Sequence, residues 1–171
     1  KMLYLCKRKE LSFSEWIKKI NFIPVSISYE YDPLDVTKAR GWDHLEEMSL
    51  EEIKESILQE LATGLFRDKG RVHLHICDSI EYDGDDIEEL SLLIEQEILS
   101  NYKIWPTSHI AAKALSNADS SMNFFDENKI KLNQESRFLN RFNGLEENVR
   151  KECLEIYVRP MINGKKARGD L

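Results

Sequence analysis

Cysteine is scarce in this sequence, and its three cysteines lie far apart. Cys6, Cys77 and Cys153 form no Cys-x-x-Cys pair, and their number is odd. This pattern excludes a disulfide framework and a zinc knuckle. We therefore expect a reducing, cytoplasmic setting.

Long hydrophobic runs and a signal peptide are also missing. No apolar stretch approaches the roughly 20 residues that a membrane-spanning helix needs, so we expect any membrane contact to be peripheral or to use residues outside this sequence. Lys7–Lys9 and Lys165–Arg168 are two basic clusters that suit anionic lipid headgroups, with solvated chain ends as the simpler interpretation. The first residue, Lys1, suggests that the sequence starts within a longer protein.

Positive charge is in deficit across the 171 residues. The formal net charge is −7, whereas nucleic-acid binding demands a basic surface that displaces counterions. We therefore expect no nucleic-acid partner. A chain of this length is normally one domain with its own core, so we expect a single domain over residues 1–171.

The clearest positive signal is a strand of alternating character between residues 22 and 33. Successive side chains of a strand point to opposite faces of a sheet. The side that we predict to be buried carries Ile23, Val25, Ile27, Tyr29 and Tyr31. Ser26, Ser28 and Glu30 fall on the other side, and Pro24 places the start or edge of the strand here.

A second strand is predicted over Gly70–Asp78, where Val72, Leu74 and Ile76 alternate with His73 and His75. Ser-x-x-Glu capping boxes at Ser12–Glu15 and Ser49–Glu52 predict two helix starts. An apolar stripe follows the second box, and its members are Leu50, Ile53, Ile57, Leu61 and Leu65.

Further helices are predicted around Ile87–Ile98, from Pro106 onward, around Phe138–Phe142 and around Val149–Tyr157, the last ending near Pro160. Asn117–Gln134 is polar and predicts a loose surface loop.

These patterns predict a helix-rich α/β protein with about six helices and a small, partly parallel sheet of two or three strands. Strand–helix–strand units normally belong to larger parallel sheets, and two strands alone are a poor platform. The sheet is therefore expected to be incomplete. Its free edge predicts a homo-oligomer.

Several segments, taken in order, resemble the C-terminal half of the glycerolphosphate acyltransferase family. Asn21–Pro33 is similar to the apolar-Pro-apolar strand of that family and its Ser-Tyr-Glu-Tyr-Asp-Pro continuation, followed here by Lys38–Arg40. The Gly-Arg-Val-His run at Gly70 and the Trp-Pro-Thr run at Trp105 resemble later family segments, as do the terminal helices between Phe138 and Pro160.

The resemblance implies a phospholipid-biosynthesis enzyme. Such an enzyme transfers a fatty acyl group from acyl-CoA or acyl carrier protein to glycerol-3-phosphate or 1-acylglycerol-3-phosphate, and it is expected in the cytoplasm, peripheral to the inner or plasma membrane. Family members use a His-x4-Asp block as general base, with a Glu-Gly block for the phosphate, both before the apolar-Pro-apolar strand. Neither block stands in that position here.

We therefore expect this sequence to be the C-terminal part of such an acyltransferase domain and inactive alone. We also expect no catalytic residue, no metal site and no cofactor in it. The resemblance assigns Pro24, Ser26, Ser28 and Tyr29 to support of the substrate-binding wall.

Three alternatives compete with this interpretation. His73 and Asp78 have His-x4-Asp spacing, but an odd offset along a strand sends their side chains to opposite faces, so we reject the pair. His73 and His75 share a face and would suit a metal-dependent hydrolase, yet no third ligand is evident. A non-catalytic helical interaction or scaffold module is the main alternative.

Overall fold

The computed structural model describes residues 11–41, 48–116 and 125–169. The expectations that involve Lys7–Lys9 and Cys6 lie outside these ranges. The described elements are α1 (Phe13–Lys19), β1 (Val25–Tyr29), α2 (Asp35–Arg40), α3 (Leu50–Phe66), β2 (Val72–Ile76), α4 (Ile87–Ser100), α5 (Pro106–Ser116), α6 (Leu132–Leu139) and α7 (Glu147–Ala167), with short 3-10 turns at Glu127–Lys129 and Asn140–Phe142. The fold is helix-rich α/β.

Both predicted capping boxes are confirmed at the helix starts. The Ser12 hydroxyl accepts from the Glu15 backbone N–H at 3.3 Å, and the Glu15 carboxylate accepts from the Ser12 N–H at 2.9 Å. Ser49 and Glu52 repeat the arrangement at the start of α3. These reciprocal bonds satisfy backbone donors that the first helical turn leaves free.

The two strands pair with each other in antiparallel orientation, so the prediction of a partly parallel sheet was wrong. The Cys77 N–H donates to the Pro24 carbonyl at 2.9 Å, and Phe22 and Ile80 form an antiparallel bridge beyond the strand ends. A parallel pair needs a crossover that returns the chain to the end where the first strand began. Here β2 begins beside the end of β1. The alternation of apolar and polar residues is the same in parallel and antiparallel strands, so it could not predict the orientation.

The alternation along β1 is confirmed, but the prediction that its apolar side is buried was wrong within the strand. Tyr31, which follows the strand, is buried as predicted. Ile23, Val25 and Ile27 are 48%, 41% and 43% exposed, whereas Ser26 and Ser28 are each 1% exposed. The Ser26 hydroxyl donates to the Ile98 carbonyl of α4 at 3.0 Å. The helix thus packs on the serine side, where small side chains permit close approach. Parity identifies residues that share a face, but not the face that a helix covers.

The chain divides into two compact units, each with its own core. The expectation of a single domain over residues 1–171 stays a prediction. The first unit contains the described residues 11–28, 73–103 and 163–169. Its core is small and consists of Trp16, Ile17 and Leu90, with Trp16 edge-on to Phe22 at 5.8 Å between ring centroids.

The second unit contains the described residues in 29–72 and 104–162. Its core is larger and is built around three mutually edge-on rings, with 4.8 Å between the centroids of Phe138 and Tyr157 and 5.2 Å between those of Phe138 and Phe142. Ile110 and Val158 are also fully or almost fully buried in it. Edge-to-face aromatic pairs add to the stabilisation that area burial alone provides.

A buried carboxylate lies beside these rings in the second unit. Asp35 is fully buried, and its Oδ2 accepts from Arg141 Nη2 and from the Tyr157 hydroxyl, each at 2.9 Å. Its Oδ1 lies 3.2 Å from Arg67 Nη1 and accepts from the Val36 N–H at 2.9 Å. The carboxylate is therefore paired on both oxygens, as a buried charge requires.

Two predicted boundaries near the C-terminus were wrong. Helix α7 does not end near Pro160 but continues to Ala167. A proline removes one helical donor, yet Val158 and Met161 on either side are buried, and this packing keeps the helix going. The predicted loop Asn117–Gln134 ends early, because α6 begins at Leu132; its residues 117–124 lie outside the described ranges.

Helix α3 forms as predicted, but its apolar stripe is not covered. None of its residues is buried, and Leu50, Leu61 and Leu65 are more than half exposed. Among the helices of the described ranges, none is both long enough and apolar enough to cross a membrane.

We predict that Tyr157→Phe destabilises the fold by about 1–3 kcal/mol, the usual cost of leaving buried polar groups unpaired. The hydroxyl donates to Asp35 and accepts from the Asp32 N–H, both at 2.9 Å. Its loss leaves the Asp32 N–H without a partner and removes one of the donors that stabilise the buried Asp35 carboxylate. Urea unfolding followed by circular dichroism measures the change. The matched control is Tyr29→Phe, because Tyr29 is 37% exposed and makes no side-chain hydrogen bond in the described structure. Equal midpoints for both variants would contradict the prediction.

Candidate functional site

The four residues predicted to support a substrate wall do not share one face of β1. Pro24, Ser26 and Ser28 lie on the buried side, whereas Tyr29 lies on the opposite side and is 37% exposed. The structure thus brings three of them together and separates the fourth. The odd offset between Ser28 and Tyr29 requires this.

The buried side of the sheet is a polar ladder. The strand bounds, 25–29 and 72–76, and the bond from Cys77 to Pro24 place Ser26 opposite His75 and Ser28 opposite His73. The His73 and His75 rings stack at 6.4 Å between centroids. The Ser28 Oγ and the His73 Nδ1 are both buried without a hydrogen-bond partner in the described structure. The two are therefore not a hydrogen-bonded nucleophile and base.

The same observation bears on the His73–Asp78 pair, which sequence analysis rejected. A catalytic carboxylate orients its histidine through a hydrogen bond, but the His73 Nδ1 has no partner. Asp78 lies beyond the end of β2 and is exposed. Nor is any group of three or more His, Cys, Asp and Glu side chains, among the residues that the structure describes, arranged to hold a metal ion.

The two cysteines in the described ranges are poor nucleophiles. Burial, aided by the nearby Asp35 charge, raises the pKa of the Cys153 thiol to about 11. Burial, followed by the Glu97 carboxylate, also raises the pKa of Cys77. Because the thiolate is the reactive form, neither residue is poised for covalent chemistry.

The opposite side of the sheet is an exposed apolar surface in the first unit. It consists of Ile23, Val25, Ile27, Leu74 and Ile76, which we call the apolar sheet face; all five are between 41% and 65% exposed. Adjacent large apolar side chains of this kind usually mark a surface that another molecule covers. Because five residues from two strands contribute, the surface is continuous rather than scattered.

Sequence analysis missed an ion pair in the second unit. Glu30 is 7% exposed, and its carboxylate accepts from Arg71 Nε at 3.0 Å, from Arg71 Nη2 at 3.1 Å and from the Arg71 N–H at 3.0 Å. The Arg71 guanidinium also lies 4.9 Å from the centroid of the Trp105 ring. The Thr107 hydroxyl holds the Glu30 carbonyl at 2.8 Å. Bidentate pairing and stacking together fix the plane of the guanidinium.

The ion pair with Arg71 lowers the pKa of Glu30. Burial by itself raises the pKa of Glu30, but the hydrogen bonds from the side chain and backbone of Arg71 outweigh it, so the pKa lies below its ordinary value of 4.5. The carboxylate therefore stays ionised down to more acidic pH in the folded protein than in the unfolded chain.

A cavity of about 350 Å³ opens beside this pair, and we call it the Arg71 cavity. Its lining residues are Glu30, Tyr31, Asp68, Gly70, Arg71, Asn133, Gln134 and Arg137. Gly70 has φ of +61°, and a Cβ there would lie 2.7 Å from Tyr31 Cδ2, so only glycine fits. The Gly70-Arg71 dipeptide was visible in the sequence. The role of Arg71 depends on its pairing with Glu30, which lies 41 positions away in the sequence.

A larger cavity, of about 620 Å³, lies in the first unit between the end of α1 and the segment after β2. Lys18 and Lys19 line it together with Glu81 and Asp83. Its charges are mixed, and none of these four side chains forms an ion pair with another in the described structure.

Comparisons of this chain with protein-family models, with curated proteins and with solved structures give no match.

We predict that Glu30→Gln removes part of the acid sensitivity of the fold. Because the pKa of Glu30 is lowered on folding, the carboxylate contributes stability that is present above its unfolded pKa and is lost as pH falls through the folded value. Urea unfolding between pH 7 and pH 3 should show a smaller loss of unfolding free energy below about pH 4.5 in the variant. Glu55→Gln on exposed α3 is the control. Parallel pH profiles for the parent and Glu30→Gln would refute the prediction.

Proposed function

We propose that this chain is the non-catalytic rear portion of a glycerolipid acyltransferase. In the parent reaction, a fatty acyl group passes from acyl-CoA or acyl carrier protein to glycerol-3-phosphate or 1-acylglycerol-3-phosphate. The observation that best supports the proposal is the apolar sheet face, which is left uncovered beside a polar, buried face. The ordered resemblance from Asn21 to Pro160 supplies the chemistry.

The burial pattern fits a sheet that is covered on one side only. Ser26 and Ser28 allow α4 to pack closely, as the bond from Ser26 to the Ile98 carbonyl illustrates. Ile27 and Leu74 point away from that helix and gain stability only if another apolar layer covers them. In this proposal, that layer is a catalytic segment that carries the His-x4-Asp and Glu-Gly blocks.

The proposed roles of the four predicted residues follow from their positions. Pro24, Ser26 and Ser28 set the spacing between the strand and the helix behind it. Tyr29, on the other side, continues the alternation of the apolar residues. All four are positioning residues in this proposal, and none takes part in the chemistry.

The reaction is proposed to take place in the cytoplasm at the surface of the inner or plasma membrane, where its lipid substrates and products reside. Peripheral contact would suit this role, and Lys165 and Lys166 at the end of α7 would face anionic headgroups.

A second candidate is the interaction or scaffold module. It is favoured by α3, which has no buried residue and exposes Leu50, Leu58, Leu61, Leu65 and Phe66. A helix with a continuous exposed apolar stripe is a typical surface for a partner helix. This candidate predicts binding without acyl transfer.

We predict that this chain alone transfers no acyl group above background. Transfer is expected when the chain is combined with a separately produced acyltransferase segment that carries the His-x4-Asp and Glu-Gly blocks. The assay follows radiolabelled acyl groups from acyl-CoA into glycerol-3-phosphate. Its control is the same segment with the histidine of the block replaced by alanine. Turnover by the chain alone would overturn the proposal, and binding of the segment without turnover would favour the scaffold module.

We also predict that Leu74→Glu lowers the reconstituted rate at least about tenfold, because a carboxylate would be buried without a partner in the new interface. The matched control is Leu132→Glu, which places the same charge at an exposed leucine outside the apolar sheet face. Analytical ultracentrifugation of the chain alone tests the competing homodimer. Equal rates for the two variants would count against this use of the face.

A further inference from the structure

A histidine of helix α5 holds the backbone of a neighbouring segment in the second unit. His109 is partly buried, and its Nδ1 accepts from the backbone N–H of Asp126 at 3.1 Å. A ring nitrogen accepts a hydrogen bond only when it carries no proton. The bond therefore requires a neutral imidazole whose proton is on Nε2.

The segment Phe125–Ile130 depends on this bond for its attachment to α5. Its other hydrogen bonds are local: the Ile130 N–H donates to the Glu127 carbonyl at 3.0 Å, and Asp126 Oδ1 accepts from the Asn128 N–H at 2.9 Å. Within the described residues, the bond to His109 is the hydrogen bond that connects this segment to another element. Phe125 and Ile130 add apolar contacts with the core cluster.

Burial and one nearby cation disfavour the charged form of the imidazole. Burial has the largest effect and lowers the pKa of His109, the Asp126 carboxylate raises it, and Lys129 lowers it. The net result is a pKa below the ordinary value of 6.5. The ring is therefore neutral at pH 7, as its role as an acceptor requires.

The other elements packed on α5 add no free charge beside this ring. From α6, Glu135 reaches α5 one turn further along, where it is paired with Lys113 at 3.2 Å. From α7, Leu154 and Val158 enter the same core cluster as Ile110 of α5, and all three are apolar. The charges that act on the imidazole thus come from the segment that it holds.

Protonation of His109 would replace the acceptor with a donor at the same position. The hydrogen on Nδ1 would then oppose the Asp126 N–H, while the Asp126 carboxylate would become the favourable partner of the charged ring. Because the pKa of His109 is lowered on folding, the bond contributes stability that is present above the unfolded value of 6.5. This stability is lost as pH falls through the folded value.

We propose that the bond from Asp126 to His109 is a pH-sensitive latch, closed at neutral pH, whose opening in mild acid frees the segment Phe125–Ile130 from α5. Opening would expose the part of the core against which Phe125 and Ile130 pack. The inference goes beyond the proposed acyl transfer, because it concerns this chain alone and is measured without turnover. The two proposals can therefore fail independently.

Hydrogen exchange followed by NMR tests the latch at the Asp126 amide. The protection factor, the intrinsic exchange rate divided by the observed rate, already corrects for the effect of pH on exchange itself. Between about pH 7.5 and about pH 5 it should fall roughly two- to tenfold in the parent chain, as expected for the loss of one net hydrogen bond. His109→Asn keeps an acceptor near the position of Nδ1 but does not titrate, so its protection factor should stay constant.

The matched control is His75→Asn, which makes the same replacement at a partly exposed histidine of β2 in the first unit. It should keep the pH dependence of the parent chain at Asp126. Nitrogen NMR of the parent chain needs no variant: Nδ1 of His109 should be unprotonated at about pH 7.5 and gain its proton over the range in which Asp126 loses protection. Constant protection in the parent, the same loss in His109→Asn as in the parent, or a protonated Nδ1 at neutral pH would each overturn the proposal.

Discussion

The larger of the two units depends on one buried carboxylate. Asp35 gathers Arg67, Arg141 and the Tyr157 hydroxyl, and so joins residues that lie up to 122 positions apart in the sequence. Desolvating a carboxylate costs several kcal/mol, and only complete pairing offsets that cost. The arrangement therefore specifies a unique packing of α2 against α7, because a shifted helix would leave a buried charge without its partners.

The same network shapes the surroundings of the Arg71 cavity. Arg141 reaches Asp35 while its guanidinium lies 4.8 Å from the centroid of the Tyr31 ring, and Arg137 lies over the same ring. Tyr31 is also hydrogen-bonded through its backbone to Lys69, next to Gly70. The wall of the cavity is thus continuous with the rigid core, and its geometry does not depend on a loop alone.

Local features of the fold could be predicted from the sequence, and features set by distant contacts could not. The capping boxes at Ser12 and Ser49 involve residues three positions apart, so sequence alone locates them. The antiparallel orientation of β2 and the burial of Ser26 depend on where α4 packs, which no alternation encodes. The site shows the same division: Pro24, Ser26 and Ser28 were placed on one face by parity, but the pairing of Glu30 with Arg71 required the register between two strands.

The exposed apolar sheet face affects how long the protein persists in a cell. Alternating strands that display Ile23, Ile27, Leu74 and Ile76 are the kind of sequence that general chaperones retain and that quality-control proteases sample. Under the proposal that another segment covers this face, the abundance of the chain follows the supply of that segment, because copies with an exposed face are removed. In that proposal, the exposed apolar sheet face also keeps the amount of this chain equal to the amount of the segment that covers it.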